Sequence, residues 1–188
     1  MRQLVLASGS PRRKQLLEWA GIDADVRTSG VDETRQPQEP PIDYARRRAL
    51  RKAQAVPHGA GETILAADTV VHLDARIFDK PADRLEARSH LLTLSGKTHQ
   101  VTTGVAILPP SEPPRLGHQT TQVRFRQLTP GEIAAYLATG DADDKAGAYG
   151  IQGRAGSFVA EIHGCWTNVM GLPLELCLAL LASSPRDP

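Results

Sequence analysis

The opening of the chain constrains the fold more than any other feature of the sequence. A short apolar run, 4–7, passes through the Ser/Gly turn 8–10 into an amphipathic stretch that ends at Gly21. Ser10 suits the N-cap of a helix and Pro11 its first position. This order predicts a strand, a tight turn and a helix, which is the repeating unit of layered folds in which helices cover a sheet.

Strand and helix patterns continue to alternate along the rest of the chain. The run 64–71 is apolar except at Asp68 and Thr69, which predicts a strand buried on both faces. The alternating segments 99–108 and 120–128 predict an antiparallel pair joined by a Pro-rich loop. Further helices are predicted at 43–55, at 85–96, at 129–140 and from Pro173, with a strand at 158–162 and a long polar, Gly-rich loop at 141–156. We therefore predict one α/β domain over 1–188, with a mixed sheet and flanking helices.

The composition excludes several classes of function. A formal net charge of +1 and 4% aromatic residues argue against a surface that binds nucleic acid stably. The two cysteines form no disulfide or metal pattern, which favours structural thiols in the reducing cytoplasm. The sequence shows no signal peptide and no stretch as long as a membrane span. We expect a cytoplasmic protein that has a small molecule, and no membrane, as its partner.

Three cations in the first turn of the predicted helix violate a local rule. Arg12, Arg13 and Lys14 lie where the helix dipole is already positive, so they disfavour the helix unless an anion joins them. The amides of the Ser/Gly turn, the helix N-terminus and the guanidinium groups together form a cradle for phosphate. The alternative is that these cations only solubilise an exposed helix end.

Asp68 is the second unusual residue. An aspartate is disfavoured within a strand, and a buried carboxylate destabilises the fold unless it has a partner. We expect Asp68 at the C-terminal end of its strand, where α/β sheets bind ligands. The alternative is an aspartate that caps the next turn.

Other candidate residues are weaker when taken singly. Glu33 offers a second carboxylate, and Lys52 and Lys80 offer cations, but residues of these types are usually solvated. In the loop 144–153 the glycines permit close approach to a ligand, and Gln152 offers a donor and an acceptor to a base edge. Several cations, one or two carboxylates and Gly-rich turns favour metal-assisted attack on a phosphorus centre.

Seven segments, in this order along the chain, resemble the Maf family of nucleoside triphosphate pyrophosphatases, also called septum-formation inhibitor proteins. The segments are LASGSPRR (6–13), VDE (31–33), AADT (66–69), KP (80–81), LSGKTH (94–99), DKAGAYGIQG (144–153) and VMGLP (169–173). Within the family the chain is similar to the branch that acts on dTTP and UTP. The residues that mark that branch are Arg12, Thr69 and Gln152, to which the resemblance assigns substrate specificity.

The resemblance implies a fold shared with the inosine triphosphate pyrophosphatases, with the substrate in a cleft between two lobes. It also implies a divalent cation, Mg²⁺ or Mn²⁺, and often a homodimer. Asp68 is then the proton acceptor and, with Glu33, a metal ligand. The residues assigned to the substrate phosphates are Ser8, Ser10, Arg13, Lys52 and Lys80. The chain departs from the family pattern at Arg51, where Glu or Gln is common, and at 141–143.

The leading hypothesis is therefore an enzyme that cleaves dTTP and UTP, or modified pyrimidine nucleotides, to the monophosphate and pyrophosphate. Water activated by Asp68, or by a metal that Asp68 holds, attacks the α-phosphorus. One alternative is a nucleotide-binding regulator of cell division and septum formation with incidental hydrolysis. Another is an α/β domain whose charges lie only on its surface.

Overall fold

A mixed sheet of seven strands organises the protein. The structure is a computed structural model that describes residues 3–28, 30–31, 34–36, 38–57 and 59–183. Its strands are β1 (Leu4–Ala7), β2 (Asp25–Arg27), β3 (Thr63–Leu73), β4 (Arg76–Phe78), β5 (Thr98–Leu108), β6 (Arg115–Phe125) and β7 (Val159–His163). They follow the order β2-β1-β3-β5-β6-β7, with β4 paired to β3. β1 is parallel to β2 and β3, whereas β4 and β7 are antiparallel to their neighbours.

The helices begin and end close to the predicted positions. They are α1 (Pro11–Trp19), α2 (Pro41–Ala55), α3 (Arg84–Leu94), α4 (Pro130–Leu137), α5 (Trp166–Met170) and α6 (Leu174–Ala182). Thr129 and Glu132 form the predicted capping box of α4. The sequence patterns missed β2, β4 and α5, which are too short to show periodicity. None of the helices in the described ranges has the length and hydropathy needed to cross a bilayer.

The described residues group into two compact units. The first unit contains residues within 1–68, 103–119 and 171–188, and the second contains those within 69–102 and 120–170. In the first unit, β1 and β3 pack against α2 through small and branched side chains. The buried members of this core are Val5, Ala7, Ala49, Ala53, Val56, Ile64, Ala66 and Ala106.

In the first unit, α2 lies very close to the sheet. Ala45, Ala49 and Ala53 follow one face of the helix and are fully buried. A Cβ built on Gly104 of β5 would lie 2.4 Å from the main-chain oxygen of Ala45, well inside contact distance. Residue 104 must therefore lack a side chain, because any Cβ there would push α2 away from the strands.

The second unit has an aromatic core around Phe125, whose ring meets His99, Tyr149 and Phe158 edge-on. His99 shares a hydrogen bond of 2.8 Å with the Tyr149 hydroxyl, and burial lowers the pKa of His99 to about 4. The segment 141–156, predicted as a polar loop, contributes Tyr149 and three buried alanines (Ala142, Ala148 and Ala155) to this core. It also forms two short 3₁₀ turns. Apolar contacts thus hold this segment in place, although its glycines and charged residues predict only a polar loop.

The close approach of α2 gives a direct test of the packing. Gly104→Ala should lower the free energy of unfolding by about 1–3 kcal/mol, because the added methyl group overpacks the contact with Ala45. Urea denaturation measures the change. Gly131→Ala is the matched control, since Gly131 is an exposed residue of α4 with open space around it, and alanine favours a helix. Equal stability of Gly104→Ala and the native protein would contradict this packing.

Candidate active site

Asp68 lies in the middle of β3 rather than at its C-terminal end, which corrects the expectation from the sequence. β1 pairs in parallel with the first part of β3, with Leu6 opposite Leu65. β1 ends at Ala7, whereas β3 continues to Leu73. Asp68 therefore lies just past the carboxyl end of β1 in this register, and that end of a parallel pair is where α/β sheets bind ligands.

Strand alternation directs Asp68 toward α2. Ile64 and Ala66 of β3 belong to the same buried core as Ala49 and Ala53 of α2. Because side chains two residues apart lie on the same face of a strand, Asp68 shares that face. Asp68, which interrupts the apolar run, therefore faces the helix and not solvent.

Two cations of α2 contact the Asp68 carboxylate. Lys52 Nζ donates a hydrogen bond of 2.6 Å to Oδ1, and Arg48 Nε lies 3.3 Å from Oδ2. Arg48 and Lys52 are one helical turn apart, so both project from the same face of α2. Asp68 is only 3% exposed, and a carboxylate so buried destabilises the fold unless it is paired. Lys52 was predicted for the site from the family resemblance, whereas Arg48 was not predicted, because nothing local distinguishes it from Arg46 and Arg47.

A second group of contacts orders the turn after β1. Ser8 Oγ accepts hydrogen bonds from the Ser10 amide at 3.2 Å and from Arg13 Nη1 at 3.0 Å. Arg13 Nε donates to the Gly171 carbonyl at 2.8 Å. Ser10 is the N-cap residue of α1, as predicted, but its hydroxyl makes no capping hydrogen bond. The hydroxyl that organises the turn is that of Ser8.

The cations at the start of α1 have different environments. Lys14 is about half exposed and pairs with Glu18 at 3.5 Å, which is the solvated role expected of a surface lysine. Arg13 turns inward, and burial lowers the pKa of its guanidinium below the usual value. The Asp68 charge opposes that shift, while the charges of Arg12 and Arg48 add to it. Among the described residues, these positive groups outnumber the Asp68 carboxylate, which favours binding of an anion.

The residues before α2 are tied to that helix by Arg47. Its guanidinium contacts both carboxylate oxygens of the buried Glu39, at 2.5 and 2.6 Å, and donates to the Thr34 carbonyl at 3.2 Å. These bonds hold the pKa of Glu39 below its ordinary value. The residue before Thr34 is Glu33, the predicted second metal ligand, which lies outside the described residues.

The remaining predicted residues are divided between the two units. Arg12 is half-buried on α1, in the same unit as Asp68. Thr69, Lys80 and Gln152 belong to the second unit, where Thr69 is half-buried and the other two are exposed. Arg51, which departs from the family pattern, is exposed on α2.

The donor set near Asp68 fits a metal that the substrate helps to hold. Within the described ranges, no group of three or more His, Cys, Asp or Glu side chains is arranged to hold a metal ion. Asp68 Oδ2 is buried and accepts no hydrogen bond from the described residues, so this oxygen remains available to a ligand. Mg²⁺ is commonly bound by only one or two carboxylates together with substrate phosphates. Asp68 supplies one such carboxylate.

This chain is similar in sequence to other proteins over nearly its whole length. A family model described as Maf-like protein matches residues 3–184. The dTTP/UTP pyrophosphatase of Symbiobacterium thermophilum is 47% identical, covering 96% of this chain and 93% of that protein. The dTTP/UTP pyrophosphatase of Bacillus anthracis is 45% identical, covering 93% and 92%. The solved structure of the Staphylococcus aureus Ham1 protein aligns with 65% of this chain and 71% of its own at a TM-score of 0.46 and 15% identity.

Arg13, which turns inward, and Lys14, which is solvated, should differ in their contribution to anion binding. Tripolyphosphate should raise the melting temperature of the native protein, because a ligand that binds only the folded state stabilises that state. At a ligand concentration of one hundred times Kd, the stabilisation is about 2.7 kcal/mol. Arg13→Ala should largely remove this increase. Lys14→Ala is the matched control and should retain it, since Lys14 is solvated. Equal losses in both variants, measured by thermal unfolding at fixed ionic strength, would instead indicate nonspecific attraction.

Proposed function

The chain belongs to the Maf-like protein family, and on this basis we propose that it hydrolyses dTTP and UTP to the monophosphate and pyrophosphate. The observation that carries the proposal is the buried Asp68 carboxylate, held by Lys52 beside the inward Arg13. This combination supplies a proton acceptor and positive charge for a polyphosphate. The names of relatives at 45–47% identity support the same substrates.

The phosphates are proposed to lie against the turn after β1. Arg13 offers a guanidinium, Ser10 a hydroxyl not used in capping, and Ser8 an oriented hydroxyl. Lys52 adds a charge beside the reacting centre, and we propose the exposed Lys80 as a further phosphate ligand. Positioning and neutralisation of the triphosphate supply most of the catalysis in phosphoryl transfer.

Asp68 is proposed to act as the general base. Lys52 occupies Oδ1, so Oδ2 is the oxygen that accepts the proton from water. The water oxygen forms a bond to the α-phosphorus, and the bond from that phosphorus to the α,β-bridging oxygen breaks. Pyrophosphate leaves with the electron pair, and Asp68 later returns the proton to solvent. The burial of Asp68 keeps competing water from the carboxylate.

We propose a divalent cation, Mg²⁺ or Mn²⁺, as the cofactor. Asp68 and Glu33 are its proposed protein ligands, with substrate phosphate oxygens completing the set. When bound, such an ion polarises the phosphoryl oxygens and makes bound water more acidic. The donor chemistry of Asp68 supports this assignment, and Glu33 remains a prediction from the resemblance.

The base is proposed to be selected by Arg12, Thr69 and Gln152. The exposed Gln152 amide can donate to a carbonyl and accept from an N–H, as the edge of uracil or thymine requires. Cytosine presents an amino group in place of one carbonyl, so it should be disfavoured. A homodimer and a cytoplasmic location remain predictions.

A panel of nucleoside triphosphates tests the proposed function. We expect dTTP and UTP to be the best substrates, with UTP favoured over CTP. Pyrophosphate, not orthophosphate, should be the product, because the α,β-bond is cleaved. Separate assays for the two products measure this in the presence of Mg²⁺ or Mn²⁺. Nucleotide binding without turnover would instead support the regulatory alternative.

Asp68→Asn tests the proposed base. The amide keeps the shape of the carboxylate but accepts no proton, so kcat for UTP should fall by about a hundredfold or more. Circular dichroism should show that the variant is folded. A kcat equal to that of the native protein would remove Asp68 from the mechanism, even if pyrophosphate release itself is confirmed.

A further inference from the structure

Arg48 is a buried cation that neither the sequence patterns nor the family motifs assign to the site. It lies on α2, is 7% exposed and places Nε 3.3 Å from Asp68 Oδ2. Removing a guanidinium from water opposes folding unless its charge and donors are satisfied. The location of Arg48 against the buried Asp68 carboxylate therefore requires a structural explanation.

Tyr44 fixes the Arg48 guanidinium from the other side. Arg48 Nη1 donates a hydrogen bond of 3.0 Å to the Tyr44 hydroxyl. The guanidinium carbon also lies 4.9 Å from the centre of the Tyr44 ring, within cation–π distance. Tyr44 is itself 3% exposed, so the surrounding core holds its ring. Tyr44, Arg48 and Asp68 form a chain of contacts from α2 to β3.

Lys52 and Arg48 have different relations to solvent. The Lys52 side chain is 15% exposed and that of Arg48 is 9% exposed. Lys52 makes a short hydrogen bond to Oδ1, whereas Arg48 contacts Oδ2 at ion-pair distance. A carboxylate held at Oδ1 alone can still turn about its Cβ–Cγ bond. A fixed cation beside Oδ2 opposes that rotation.

We propose that Arg48 is a positioning residue for Asp68. Its guanidinium, anchored on Tyr44, holds the Asp68 carboxylate in the orientation in which Oδ2 faces the attacking water. This inference rests on the proposed function of Asp68 as the base. Arg48 acts through Asp68 and does not itself bind the nucleotide, because its guanidinium is buried against the Asp68 carboxylate and against the Tyr44 hydroxyl and ring.

The test compares Arg48→Met, Arg48→Lys and Tyr44→Phe in steady-state hydrolysis of UTP. Arg48→Met should lower kcat about 10- to 100-fold, as expected for a misoriented catalytic group, and change KM less than about threefold. Arg48→Lys restores the charge and should recover part of kcat. Tyr44→Phe removes only the hydroxyl that anchors Arg48, so it should lower kcat by a few fold with the same KM.

Arg51→Met is the matched control, because the same substitution then falls on an exposed arginine of the same helix. It should leave kcat and KM unchanged. A native kcat in Arg48→Met would overturn the inference, as would a rise in KM without a fall in kcat. If Arg48→Met does not fold, Tyr44→Phe becomes the test of the inference. An unchanged kcat in Tyr44→Phe would also overturn it. Failure of the proposed function is distinguishable, since the native protein would then release no pyrophosphate.

Discussion

The ion pairs of the buried Asp68 carboxylate are the interaction on which the site depends. A lone carboxylate at this depth would destabilise the fold, and here Lys52 and Arg48 lie against its two oxygens. Breaking a buried pair is strongly unfavourable because it leaves an uncompensated charge. The same ion pairs that make Asp68 tolerable in a strand also suit it to the proposed role of general base.

Close packing between α2 and the sheet makes these ion pairs possible. Alanines on the inner face of α2 and a glycine at position 104 bring the helix axis near the strands. A larger residue at either place would move Arg48 and Lys52 away from Asp68. The turn after β1 then brings Arg13 into the same unit, and Ser8 and the Gly171 carbonyl hold its guanidinium. Small side chains in the core thus determine where the charged groups meet.

The predictability of the site differed from residue to residue. Asp68 and Arg13 could be selected because each breaks a local rule and lies in an ordered motif, and the family resemblance added Lys52. Arg48 could not, because it lies in the run Arg46-Arg47-Arg48 and nothing local separates the inward arginine from its neighbours. Arg47 pairs with Glu39 instead. No local rule is broken at Thr69, Lys80 or Gln152. Their assigned roles rest on the family resemblance and remain predictions.

The sequence by itself determined the alternation of strands and helices, the capping box of α4 and the family. These follow from periodicity, turn residues and ordered motifs, which are local properties of the chain. Tertiary structure alone decided the position of Asp68 along β3, the burial of the segment 141–156 and the partner of each arginine. Those features depend on strand register and on the distance between α2 and the sheet. Both are set by contacts between residues far apart in sequence, which no local pattern encodes.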